Sequence, residues 1–273
     1  FKVSGGTQST FGDFTLFTFT SNGTFTVTGT DPIDILVVGG GGQGGMPNAS
    51  SNYGGGGGAG GLVWYTGYNA TAGNYSIVVG NGGAENSSGS GNRQGNDGSD
   101  STAFGLTAKG GGGGGGQNVP PQSGGTGTTN QGNPGGPGGG YPGQGGGGGG
   151  ANNAGSSTAA GAGTPNSITG SEIYFAVGGN ANTNGGQRPP GQGGMPQGPY
   201  SPPWNDQAAD LSYFGGRGVG GRPDKYAGAS GGVIIRGLTS DLSTATYPGP
   251  ATTVTTDGDY TVIRFTASTT FTP

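Results

Sequence analysis

The sequence predicts an all-β protein with glycine-rich layers of polyproline-II or polyglycine-II character and almost no helix. Three observations lead there. Glycine and proline make up about a third of the 273 residues, 74 Gly and 18 Pro, at irregular spacing. Helix formers are scarce, with two Glu and three Lys in the whole chain. Where glycine gives way, short runs rich in Thr, Phe, Val and Ile appear at strand length.

The first such runs are Phe14–Thr20 (FTLFTFT) and Thr24–Thr28 (TFTVT), and Ser21-Asn22-Gly23 between them reads as a hairpin turn. Ile33–Val38 is a continuous apolar run, expected of a strand buried on both faces. Leu62–Thr66, Tyr75–Val79, Ala103–Ala108, Ile173–Val177, Val233–Arg236 and Tyr260–Ala267 complete the predicted strands. The best helix candidate is Asn205–Phe214, with Asn205 or Asp206 as its N-cap.

Between these strands lie glycine tracts such as GGGGQGG (39–45), GGGGGAGG (54–61) and GGGGGGG (110–116). Fixing glycine backbone is entropically expensive, yet disordered chains are usually charged and poor in aromatics. This chain is 8% charged and 9% aromatic. Extended Gly/Pro segments favour the polyproline-II conformation, whose N–H and C=O groups point outward. Without side chains, neighbouring backbones approach closely enough to bond to one another. In this reading glycine supplies closeness.

Gly39-x-Gly41-x-x-Gly44 follows the apolar run directly, the spacing of a dinucleotide-binding turn. The stretch that should form the next helix, MPNASSNYGGGGGAGG (46–61), cannot be helical, and no acidic residue follows until Glu85. The motif is therefore read as structural. With no Cys and no His the chain lacks thiol and imidazole chemistry. The remaining carboxylates form no recognisable acid/base pair. No enzyme activity, cofactor or metal site is expected. Asp97/Asp100 and Asp206/Asp210 lack the spacing of a calcium loop and read as solvated turns. A net charge of −4 argues against nucleic acid, even for GGRGVGGR (215–222), and no apolar stretch is long enough for membrane insertion.

An internal repeat links the two ends. GDFTLFTFTSNGTFTV (12–27) aligns without gaps on GDYTVIRFTASTTFTP (258–273), with half of the sixteen positions identical. The chain divides accordingly into an N-terminal strand module (1–38), a glycine-rich domain with interspersed strands (39–237), a linker (238–257) and the start of a second copy (258–273). Phe14, Phe19, Phe25, Tyr260, Phe265 and Phe271 are the candidates for inter-module or subunit pairing. The one stretch of distinct composition is QGPYSPPWNDQAADLSYFGGRG (197–218). Its Tyr200, Trp204, Tyr213 and Phe214 suit gripping a sugar face or a partner chain; the plainer reading, a small satellite core that pins the glycine-rich bundle, is favoured over binding.

The ordered series "IDILVVGGGG", "GGGGGAGGLVWYTGYNATAGNYSIVVGNGG", "STAFGLTAKGGGGGGG" and "GASGGVIIR" resembles the glycine-rich repeat domains of phage tail-fibre and related virion proteins. The tracts are also similar to those of phage receptor-binding adhesins, in which polyglycine-II helices pack into a layered sandwich and loops contact the host. The resemblance implies a virion or extracellular protein that acts as a tail-fibre component or host-recognition adhesin. Its partners would be a host surface glycan or outer-membrane component, other virion proteins and further copies of itself. The alternative is a capsid-decoration or extracellular filament or matrix protein acting only in assembly.

Overall fold

The computed structural model describes residues 3–45, 54–85, 94–116, 125, 127–137, 146, 148–157, 159–179 and 227–239, and the backbone of 253–257 and 260–264. The described residues contain no helix, and the protein is all-β. In chain order the strands are β1 (Val3–Ser4), β2 (Thr7–Phe11), β3 (Phe14–Phe19), β4 (Gly23–Val27), β5 (Asp31–Val38), β6 (Leu62–Ala70) and β7 (Gly73–Ile77). There follow β8 (Ser101–Ala103), β9 (Leu106–Ala108), β10 (Thr164–Asn166), β11 (Ile173–Phe175), β12 (Gly232–Leu238), β13 (Thr253–Asp257) and β14 (Tyr260–Arg264).

A five-stranded antiparallel sheet in the order β2-β3-β12-β5-β6 faces a three-stranded sheet in the order β1-β4-β7. Between them lies the main core. Phe17, Phe19, Ile33, Ile35, Val37, Val233 and Ile235 from the large sheet meet Phe25, Val27 and Ile77 from the small one. The β8-β9 hairpin closes one side, tied to the small sheet by the Val78–Thr102 bridge and contributing Ala103, Phe104 and Ala108.

The opposite face of the large sheet carries a second core. Leu16, Leu36, Val38 and Ile234 are covered there by Ile168, Phe175 and Ala176, around the β10-β11 hairpin. Adjacent residues of one strand thus enter different cores, as the period of two requires. This explains the unbroken apolar run of β5, whose residues Ile35 to Val38 are all fully buried.

One sequence expectation is corrected here. Residues 14–20 and 24–28 are strands, but they do not form a hairpin with each other. β3 pairs with β2 and β12, whereas β4 pairs with β1 and β7. Ser21-Asn22-Gly23 is a corner that carries the chain from one sheet to the other. Asn22 pins it by accepting the Val79 N–H at 2.8 Å through Oδ1. Phe19 and Phe25, on either side of the corner, fill the same space between the sheets with rings 6.4 Å apart and edge-on.

The predicted strand Ala103–Ala108 is likewise a tight hairpin. Phe104 (φ 52) and Gly105 (φ 77) form its two-residue turn, and both occupy the left-handed region. Phenylalanine is a strained choice there. Its ring is held between Tyr68, Tyr75 and Phe25, which over-determines the conformation.

Candidate functional site in the glycine layer

Almost every sandwich strand that ends in glycine continues as an extended segment. β5 runs into Gly39–Gly45, Gly54–Gly61 runs back into β6, β7 leads to 80–83, and 95–100 returns to β8. β9 leads to 109–116, β11 to 176–179, and 227–231 returns to β12. The apolar sandwich thus sets the starting points of the glycine segments.

The hydrogen bonds of the Gly39–Gly45 segment define its conformation. Gly39, Gly42 and Gly45 donate to Gly61, Gly58 and Gly55, three partners on one antiparallel neighbour. Gly40 and Gln43 donate to Ser99 and Asn96 on a second neighbour, and Gly41 donates to Ala229 on a third. All six bonds are 2.8–2.9 Å long. A β-strand would return to the same neighbour every second residue, whereas this backbone returns every third. Three residues per turn is the polyproline-II helix.

Carbonyls follow the same rule. Gly40 and Gln43 accept from Gly111 and Gly114, and Gly41 accepts from Gly83. The central helix is thus bonded to five segments: 54–61, 80–83, 95–99, 110–115 and 227–231. Residues 55–61 repeat the pattern, with Gly55, Gly58 and Gly61 donating to Gly115, Gly112 and Lys109, and Gly56 and Ala59 to Gly146 and Gly149.

Such packing explains the glycine. A Cβ at Gly39, Gly42 or Gly45 would overlap the carbonyl groups of Lys109, Gly112 and Gly115, and one at Gly40 would overlap that of Asn81. The dinucleotide-type spacing at Gly39, Gly41 and Gly44 therefore serves contact between backbones. The N–H groups of Gly39 to Gln43 and of Gly45 are all donated to neighbouring carbonyls, which leaves none of these six for a phosphate.

Residues 20–237 match the family model of a glycine-rich domain. The chain belongs to this family. No curated protein matches it.

In this glycine-rich domain the rim of the layer is closed by polar side chains, which composition alone does not reveal. Asp97 and Asp100, expected in solvated turns, face solvent at the rim and accept backbone N–H groups of the 110–116 segment. Asp97 accepts the Gly113 N–H at 2.7 Å and Asp100 the Gly110 N–H at 2.9 Å. Both pairs are three residues apart, matching the helical period, and that common spacing is the signal in the sequence. Gln131 accepts the Lys109 N–H at 2.8 Å and donates to the Thr107 carbonyl, while Asn133 donates to Gly150 and Ala151. Inside the layer, Gln43 is fully buried; its Oε1 accepts the Asn96 N–H at 3.1 Å, and its Nε2 has no partner among the described residues.

Asp100 also pairs with Lys109 at 2.6 Å. That hydrogen bond lowers the Asp100 pKa; partial burial opposes the shift, and the Gly110 N–H and the Lys109 charge add to it. A lowered folded-state pKa gives stability that is present above the unfolded value, about 4, and is lost as pH falls through the folded value. Melting temperature followed from pH 7 to pH 2 should fall below about pH 4. Asp100→Asn should weaken that dependence, and an unchanged acid profile would show that the rim carboxylate contributes nothing.

The described chain leaves and re-enters the layer around 46–53 and 86–93 at the end away from the sandwich. The flanks bond to one another there, as in Gly45 to Gly55, Gly55 to Gly115 and Gly95 to Gly114, whereas Gly179 bonds Gly57 and Gly228 bonds Gly83 beside Gly41, part-way along the layer. Tyr200, Trp204, Tyr213 and Phe214 lie outside the described residues, as do Asp206, Asp210, the helix candidate 205–214 and residues 215–222.

The pairing candidates are distributed differently. Phe19 and Phe25 are buried in the main core. Phe14 is half-buried, 5.5 Å from Phe11 and 4.5 Å beneath the Arg236 guanidinium, which Asp34 holds in an ion pair. Tyr260 begins β14, while Phe265 and Phe271 lie outside the described residues.

Proposed function

We propose that this chain is a non-enzymatic structural protein of a virion, a tail-fibre or host-recognition adhesin that presents loops on a rigid glycine-rich scaffold. One observation carries the reading: the flanks of segments 46–53 and 86–93 meet at the end of the layer remote from the sandwich. A scaffold bonded through its backbone on several sides holds such an end in place with few side chains. It leaves the intervening sequences free to vary as contact loops. The aromatic segment 197–218 lies in the longest connecting segment, 180–226. Weak contacts from several loops, multiplied over copies, give avidity to a surface glycan or outer-membrane component.

The experiment is immunogold electron microscopy of native particles with an antibody to this chain. Gold at the ends of tail appendages is the expected result. Gold spread over a capsid or along a cellular filament would overturn the recognition role and leave a protein of assembly alone.

A further inference from the structure

We propose that the β13-β14 hairpin is the opening hairpin of a second glycine-rich module, and that the open edge of β14 takes a strand of the β12 type from that second copy. The argument rests on register. In β2-β3, Thr7 pairs with Thr18, Gln8 with Phe17, Ser9 with Leu16, Thr10 with Thr15 and Phe11 with Phe14. In β13-β14, Thr253 pairs with Arg264, Val254 with Ile263, Thr255 with Val262, Thr256 with Thr261 and Asp257 with Tyr260. Each residue of the second hairpin stands 246 positions after its counterpart in the first. The backbone repeat therefore reaches back to 253, before the sequence similarity that begins at 258.

The first hairpin shows what the second lacks. β3 has β2 on one side and β12 on the other, with Ile234 opposite Thr18, Ile235 opposite Phe17 and Arg236 opposite Leu16. Leu16, Phe17 and Phe19 are buried there. Their counterparts in the sequence are Val262, Ile263 and Phe265, all apolar. Among the described residues β13 and β14 pair only with each other. An open edge that keeps the pattern of an occupied one is a template for the same neighbour. That neighbour cannot be residues 12–27, because β3 and β4 each have both edges taken.

The test uses the full chain and a fluorescent peptide with the sequence of residues 228–239, GASGGVIIRGLT. Anisotropy should show saturable one-to-one binding. Ile263→Pro, at the counterpart of Phe17, whose N–H faces β12 in the first hairpin, removes a backbone donor from the open edge and should weaken binding at least about tenfold while the main melting transition stays unchanged. Absence of binding would overturn the proposal. So would binding that is equal in Ile263→Pro, or equal for a scrambled peptide.

Discussion

Gly42→Ala will lower the melting temperature by about 10 °C or more, whereas Gly132→Ala will leave it unchanged or slightly raised. Both replace glycine with alanine, so both reduce the freedom of the unfolded chain, an effect worth about 0.4–1 kcal/mol of stabilisation. They differ in the folded state. A Cβ at Gly42 overlaps the Gly112 carbonyl, while one at Gly132 meets its nearest neighbour, the Gly127 Cα, at an ordinary 3.6 Å. Relief at Gly42 requires the helices to separate. The Gly42–Gly58 and Gly58–Gly112 bonds, both 2.8 Å, lie in the path of that movement. Each buried group left without a partner costs about 1–3 kcal/mol, so a loss of roughly 3–5 kcal/mol is expected. Urea or thermal melts of the two variants beside the parent protein decide it. Equal small effects would mean that the layer can expand locally, and that closeness is not why glycine is there.

The sequence made part of this visible. Apolar runs located the strands because side chains record burial, and β5 revealed its two buried faces because no residue from Ile35 to Val38 is polar. The tracts also announced close backbone packing, through the absence of anything else to pack. Glycine has no side chain, however, so a tract carries no periodicity from which to read partners. That Gly39 bonds Gly61 and Gly40 bonds Ser99 is decided by where β5, β6 and β8 leave the sandwich.

The corner at Ser21-Asn22-Gly23 was hidden for a related reason. A hairpin and a change of sheet can join strands of the same pattern through the same turn residues. Long-range pairing with β7 and β12, encoded far along the chain, decides between them. Gln43 and the Asp97/Asp100 pair were missed because their role depends on the three-residue period of a neighbour.

Phe25→Ala should destabilise the protein by about 3–5 kcal/mol at any protein concentration. The ring is fully buried at the meeting point of the two sheets and the β8-β9 hairpin. It lies edge-on to Phe17 at 5.2 Å, to Phe19 at 6.4 Å and to Phe104 at 5.9 Å. Its removal leaves a cavity between sheets that cannot collapse without moving β4, whose partners on both sides are fixed. It also loosens Phe104, whose left-handed backbone is held by the packing of its ring. The expected loss therefore lies toward the upper end of the range. Phe14→Ala forms the contrast, because that half-buried ring mainly supports Arg236 and its loss should cost about 1 kcal/mol. Melts at two concentrations a hundredfold apart, with sedimentation at each, separate a core role from a pairing role. If Phe25 joins subunits, its alanine variant will melt like the parent at high dilution and differ only in assembly. If it holds the sandwich together, the deficit will be the same at both concentrations, and Phe25 is no part of a subunit contact.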